Sequence, residues 1–247
     1  MKVVIVGATR GIGRALARQM AAGGHELFLL GRDLTDLERS ARDLEVRAGR
    51  PVGSIGIAGC DLGADIGFPA ALDAADQKLG KFDTVVITGG LFATQDRLEA
   101  DPAFTGDLLT VNFTGTVLFC EEARKRLLAR GGGTLCVFSS VAGERGRKPV
   151  ILYGAAKAGL THYLEGLDHK FRARGLRVVT VKPGFVKTTM TEGLSPPPFA
   201  GDPESVAATV LRGMARGKPV VYAPAMWALV MFVIRLLPRF VMRRIGF

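Results

Sequence analysis

The chain is poor in the residues that build metal centres and disulfide frameworks: it has three cysteines and three histidines among 247 residues. Cys60, Cys120 and Cys136 are odd in number and widely scattered, with no C-x-x-C pair and no histidine at ligand spacing. That pattern argues against a disulfide scaffold or a zinc site and fits a reducing cytosol. His25, His162 and His169 lack acidic or cysteine partners at metal spacing and read as ordinary structural or surface residues, so no metal is expected. With one tryptophan and three tyrosines there is no aromatic and basic platform for stacking bases, and the net charge of +10 is not read as nucleic-acid binding. Long apolar runs are also scarce. The opening run, VVIV at 3–6, is too short for a secretion signal and reads as a strand.

What the chain has is alternation. Short β-branched runs at 3–6, 27–30, 84–88, 134–138 and 177–181 are separated by amphipathic segments at 11–22, 33–48, 64–79, 103–129 and 153–173. Nearly continuous apolar strands between helices predict a doubly wound parallel sheet of about seven strands, covered on both faces, in a single Rossmann-type α/β domain. Residues 1–224 are expected to form that domain and 225–247 an apolar, Arg-rich extension of it. The stretch TEGLSPPPFAGDPE at 191–204 reads as a functional loop rather than a domain joint. Ligands of such sheets bind beyond the carboxyl ends of the strands, where strand order reverses.

The first such end carries a glycine loop. Gly7, Gly11 and Gly13 in GATRGIG follow the first strand and open the first helix, where a backbone without side chains approaches a pyrophosphate at a helix N-terminus. Thr9, Arg10 and Ile12 complete that loop as candidate cofactor contacts. The second strand ends in Gly31-Arg32-Asp33 with no acid at its tip, and a guanidinium there suits a ribose 2′-phosphate, with Arg10 as a second cation. NADP(H) is favoured, while Asp33 keeps NAD(H) open; the lesser alternative is a solvated Arg32 with Asp33 as the cap of the next helix. Asp61 either accepts from an adenine amino group or caps a helix, and Gly89 and Gly90 leave room for a sugar.

The third signal is Ser140, Tyr153 and Lys157. Tyr153 and Lys157 stand four apart in the helix-friendly stretch YGAAKAGL, so an ammonium lies beside a phenol on one helical face. A cation there is expected to lower a phenol pKa from its usual ~10 and to permit proton transfer near neutral pH.

Taken together, Gly7-x-x-x-Gly11-x-Gly13, Asp61-Leu62, Asn112 in VNFTG, Ser139-Ser140, Tyr153-x-x-x-Lys157 and Pro183-Gly184 with Thr188 resemble the short-chain dehydrogenase/reductase family over essentially the whole chain. The resemblance implies an NAD(P)(H)-dependent oxidoreductase that reduces a ketone to a secondary alcohol with an Asn112, Ser140, Tyr153, Lys157 tetrad. Tyr153 would be the general acid, Ser140 the holder of the carbonyl oxygen, Lys157 the partner of Tyr153 and of the nicotinamide ribose, and Asn112 the holder of a water linking Lys157 to solvent. Leu62, Pro183, Gly184, Val186 and Thr188 would border the cofactor, and the helices at 103–129 and 153–173 would join a homodimer or homotetramer. One departure is Ile87-Thr88-Gly89-Gly90, where the family has Asn-Asn-Ala-Gly; Thr88 stands where a supporting Asn would.

Two further features bear on the substrate. Glu144, Arg145, Arg147 and Lys148 between Ser140 and Tyr153 suit a sugar diol or a phosphate, or else form a solvated charged loop. The tail has an apolar run of ten residues, 225–234, about half of the ~20 needed to cross a bilayer, followed by Arg235, Arg239, Arg243 and Arg244. It reads either as an interfacial helix in peripheral contact with an anionic membrane or as a cover over the site or a subunit interface. These stretches are similar to one branch of the family, reductases of a polyprenyl-phosphate-linked keto-pentose, which implies a lipid-linked ketone met at the inner face of the membrane. A soluble reductase of another apolar or fatty ketone and a non-catalytic nucleotide-binding scaffold are the competing readings.

Overall fold

The computed structural model describes residues 1–64 and 67–245; two positions of the expected helix 64–79 and the last two of the tail lie outside the described residues. Seven parallel strands run in the order β3-β2-β1-β4-β5-β6-β7. They are β1 (Lys2–Val6), β2 (Glu26–Gly31), β3 (Gly56–Gly59), β4 (Thr84–Ile87), β5 (Gly133–Phe138), β6 (Leu176–Pro183) and β7 (Val220–Ala223). The helices are α1 (Gly11–Ala22), α2 (Leu34–Arg47), α3 (Phe68–Leu79), α4 (Gln95–Ala100), α5 (Pro102–Leu109), α6 (Gly115–Ala129), α7 (Ile151–Phe171), α8 (Pro203–Ala215), α9 (Trp227–Leu236) and α10 (Arg239–Arg244).

Side chains alternate across the pleat, so one apolar run supplies two cores. Val4, Val6, Phe28 and Leu30 face α3, α6 and α7, while Val3, Ile5, Leu27 and Leu29 face α1, α2 and α8. All four strand residues 3 to 6 are buried, which is why these segments read as continuous apolar runs. The three cysteines are free and buried in these cores.

The expected helix at 103–129 is interrupted. A five-residue π-helical turn, Thr110–Thr114, separates α5 from α6 and turns Asn112 inward to full burial. The stretch Pro102–Ala129 is long and apolar enough by composition to cross a membrane, but Leu108, Phe119, Cys120, Ala123 and Leu127 are core residues. Strand order reverses between β1 and β4, and the segments leaving their carboxyl ends, Gly7 and Thr88, meet there.

Candidate active site

The crevice at that reversal is held by the glycine loop. Gly7 has φ +90°, and a Cβ on Gly13 would lie 2.1 Å from the Gly7 carbonyl oxygen, so neither position accepts a side chain. Thr88 bridges the two strands, its hydroxyl shared between the Val6 and Gly7 carbonyls at 3.0 and 2.9 Å. The residue standing in for an Asn therefore supports the loop by a bond to backbone.

From this loop a cavity of about 530 Å³ runs past Gly90 and Asn112 to Ser140, Tyr153 and Lys157, then to Pro183, Gly184, Val186 and Thr188. Arg10, Gly11 and Ile12 line its entrance. Thr9, Gly89, Arg32, Asp33, Asp61 and Leu62 fall outside that lining. The tips of β2 and β3 are joined by a bond from Cys60 N–H to Gly31 O at 2.8 Å, which brings Asp61 beside Arg32. Arg32 is exposed and pairs with no carboxylate among the described residues. Asp33 caps α2 by accepting from Asp36 N–H at 3.1 Å, and Arg10 is paired at 3.0 Å with Asp36. Asp61 accepts from Gly63 N–H at 2.9 Å, so one of its oxygens caps a turn. Leu62 is a core residue, 4 % exposed, packed on Gly115.

The catalytic candidates converge because β5 and α7 are fastened together. Ser139 donates to the Lys157 carbonyl at 3.0 Å, and the Lys157 ammonium donates to the Phe138 carbonyl at 3.0 Å. Ser140 follows in extended conformation; its hydroxyl oxygen accepts from Ala142 N–H at 3.1 Å, and its hydroxyl also hydrogen-bonds the Tyr153 phenol. Tyr153 packs edge-on against Phe92 at 5.1 Å, and the Lys157 nitrogen lies 5.9 Å from the Tyr153 ring centre. Asn112 clamps Leu91 from both ends of its amide, accepting from its N–H at 2.9 Å and donating to its carbonyl at 2.7 Å. A Cβ on Gly90 would lie 2.8 Å from the Asn112 oxygen and 3.6 Å from the Lys157 nitrogen, so the two share one corner.

The electrostatics differ from the expectation of a lowered phenol. Burial pushes Tyr153 up to about 12, only partly opposed by the Ser140 hydrogen bond, and pulls Lys157 down to about 8. Lys157 is buried and Tyr153 half-buried on the cavity wall, and desolvation is the main cause of both shifts. Tyr153 is thus a neutral donor at physiological pH. For Lys157 the unfolded chain keeps its proton up to its usual ~10.5 while the folded chain releases it near 8, so the unfolded state binds more protons between those values. Cofactor-free protein should therefore gain stability from about pH 8 to pH 10, with the rise absent in Lys157→Met; urea midpoints across that range measure it.

The charged loop after Ser140 does not stand open to substrate as expected. Glu144 is almost wholly buried, and its carboxylate takes Lys182 at 2.6 Å and the Tyr222 hydroxyl, with Arg235 of α9 at 3.8 Å. It is a structural acid: one carboxylate oxygen takes both Lys182 and Tyr222, and the other, buried without a hydrogen bond, has only Arg235 nearby. Arg145 donates to the Leu237 carbonyl at 2.7 Å and Lys148 to the Arg243 carbonyl at 2.7 Å, which ties the loop to the tail. Of the three expected substrate residues, Arg147 alone lines the cavity, and burial lowers its pKa.

The tail supplies a wall, as the reading of it as a cover over the site expects, through a residue that reading did not name. Trp227 lines the cavity with its indole against Gly184, where a Cβ would lie 2.0 Å from the indole nitrogen. The one sequence signal for it was a bare Gly after Pro183. Phe92, Leu194 and Pro197 join it as unforeseen apolar lining.

The family model described as short chain dehydrogenase matches residues 1–198. The chain is 38% identical over 244 residues, 98% of it and 96% of the relative, to an uncharacterized oxidoreductase of Mycobacterium tuberculosis. It is 28% identical over 215 residues, 84% of it and 88% of the relative, to carbonyl reductase family member 4 of Xenopus tropicalis. A solved structure described as a short chain dehydrogenase/reductase family protein superposes with a TM-score of 0.74 at 27% identity, covering 89% of this chain and 94% of that one.

Proposed function

Since the chain belongs to the short-chain dehydrogenase family and is an oxidoreductase, we propose that it reduces a ketone to a secondary alcohol, with Tyr153 as general acid and NADP(H) preferred over NAD(H). One observation carries the reading: a half-buried phenol beside Ser140 and Lys157 on the wall of a cavity that begins at the glycine loop. The chain offers room for a dinucleotide in a cavity lined at this end by Gly7, Gly11, Gly13 and Gly90. Gly7, Thr9, Arg10, Gly11, Ile12 and Gly13 would hold the pyrophosphate end. Asp61 and Arg32 stand at the adenosine end, and Pro183, Gly184, Val186 and Thr188 flank the nicotinamide end. Bound there, the reduced nicotinamide supplies the hydride that goes to the carbonyl carbon.

The protein's own groups handle the oxygen. Ser140, hydrogen-bonded to Tyr153, would turn its hydroxyl to donate to the carbonyl oxygen as negative charge builds on it. Tyr153 then transfers its phenolic proton to that oxygen, which completes the alcohol. Lys157, charged below about pH 8, stabilises the phenolate left behind. Asn112 keeps the loop after β4 in register beside Lys157.

For the substrate we favour a polyprenyl-phosphate-linked 2-keto-pentose. The support is sequence resemblance to decaprenylphosphoryl-2-keto-ribose reductase in SSVAGERGR, YGAAKAGL, VKPGFVKTTM and KPVVYAPAMW, together with Arg147 set among apolar lining. The enzyme on this reading is a cytoplasmic homo-oligomer joined through 102–129 and α7, meeting its substrate at the inner face of the membrane. A soluble apolar-ketone reductase is the second reading, favoured by the relative named a carbonyl reductase. A ketone panel followed by NADPH and NADH oxidation tests both. Lengthening the prenyl chain should lower KM on the first reading, and equal KM for short and long chains would support the second. The paired substitution Arg10→Ala with Arg32→Ala should raise KM for NADPH about tenfold or more while sparing NADH, since charge-assisted phosphate contacts contribute about 1.5–3 kcal/mol. An unchanged NADPH preference would remove these arginines from cofactor choice.

A further inference from the structure

We infer that the α8 to α10 face is a docking surface for an anionic phospholipid bilayer, with α9 lying in the interface and a basic cleft beside it holding lipid headgroup phosphates. Charge is the first observation. From Ser205 to Phe247 the chain has seven cations and no acidic residue, so this stretch carries +7 of the net +10. Arg212, Arg216 and Lys218 line a cleft of about 310 Å³ between α8, β7 and α9 whose floor is Gly213, Val221 and Ala228. None of these three cations, nor Arg239, Arg243 or Arg244, forms an ion pair among the described residues. A cleft of three cations over an apolar floor suits a phosphate attached to a lipid better than a free one.

The second observation is the two-faced α9. Met231 and Ile234 are buried against Val141 and Tyr222, which fixes the helix to the domain. On its opposite side Leu229, Phe232, Val233 and Leu236, followed by Phe240 of α10, are 51–69% exposed. A helix apolar on both faces with a basic rim has its second apolar face unpartnered. At ten residues α9 spans about 15 Å, so it lies along a bilayer rather than crossing it. The third observation is position. α9 starts at Trp227 in the cavity wall, and Met190 on the cavity lining and nearby Phe199 are also exposed apolar residues. The face is therefore continuous with the cavity mouth. Lipid docking here deepens the proposal of a membrane-met substrate and rests on it only for the identity of the ketone.

The test is co-sedimentation of the full chain with vesicles of phosphatidylcholine alone and of phosphatidylcholine with about one-third phosphatidylglycerol. The anionic vesicles should bind, neutral ones should bind far less, and binding should weaken in high salt. The triple variant Arg212→Ala, Arg216→Ala, Lys218→Ala should lower partitioning by about a hundredfold, at about 1 kcal/mol per basic residue near the surface. Leu229→Ser with Phe232→Ser should lower it by loss of apolar contact, and both variants should keep NADPH-dependent reduction of a water-soluble ketone. Equal binding to neutral and anionic vesicles, no binding, or a triple variant that binds like the native chain overturns the inference. So does a shift of the Ser variants from oligomer to monomer without vesicle binding, which would make the occupant a second copy. Reduction of the soluble ketone is read separately, so failure of docking and failure of the reductase reading are distinguishable.

Discussion

Tyr153→Phe should lower kcat by about a hundred- to ten-thousandfold while NADPH binding stays close to the native value. The substitution removes one oxygen and leaves the ring, so the edge-on contact with Phe92 and the burial of the helix face are retained. What is lost is the proton donor, and positioned proton transfer contributes that factor to rate. Water is a poor replacement because it is not held at the position of the phenolic oxygen beside Ser140 and Lys157. Ser140 still donates a hydrogen bond to the carbonyl oxygen, which leaves a residual rate rather than none. Fluorescence titration of NADPH against the variant separates the two effects. Loss of binding together with turnover would mean that the phenol is structural, and full turnover would remove Tyr153 from the chemistry.

The protonation state of that phenol follows from a property the sequence did not reveal. Spacing alone suggested a phenol lowered by its lysine, because four residues along a helix guarantee nearness. It does not report depth. Lys157 is buried and Tyr153 half-buried, so desolvation pulls the amine toward 8 and the phenol holds its proton. A protonated donor suits reduction of a carbonyl better than abstraction from an alcohol.

Legibility divides along the same line. The glycine loop and the Tyr153, Lys157 pair are local patterns, and one helical turn or one strand-to-helix turn is enough to define their geometry. The strands were legible because parallel sheets bury both faces and leave no polar alternation. The interruption at Thr110–Thr114 was not, since TVNFT reads as ordinary helix and the π turn arises from the demand of Asn112 for Leu91. Nor were the partners of Glu144, because its lysine is 38 residues away and its tyrosine 78. A charged loop in sequence looks solvated until the fold supplies opposite charge. Arg10 shows the reverse case: a cation read as a phosphate ligand already has Asp36 at 3.0 Å.

That buried cluster gives the second large effect. Glu144→Ala should destabilise the protein by about 3–5 kcal/mol, the cost of leaving one member of a buried pair uncompensated. Lys182 is the stranded member: its side chain is 9% exposed, and its ammonium has the Glu144 carboxylate at 2.6 Å. The Tyr222 hydroxyl would lose its acceptor in the same step, and Arg235 its nearest carboxylate. For a chain of this length about 2–4 °C of Tm accompanies each kcal/mol, so the variant should melt roughly 6–20 °C lower. Removing both charges tests the cause. Glu144→Leu with Lys182→Met keeps the volume and discards the unpaired ion, and it should recover most of the loss, because replacing both buried partners with apolar groups is often neutral. If the double variant is as unstable as Glu144→Ala, the lost contacts of Glu144 with Tyr222 and Arg235 rather than the stranded Lys182 are the cause. The cluster also joins the loop after Ser140 to α9, so Glu144→Ala should loosen Trp227 from Gly184 and raise KM for a long-chain ketone more than for a short one. Equal changes in both would confine Glu144 to stability and detach it from the cavity wall.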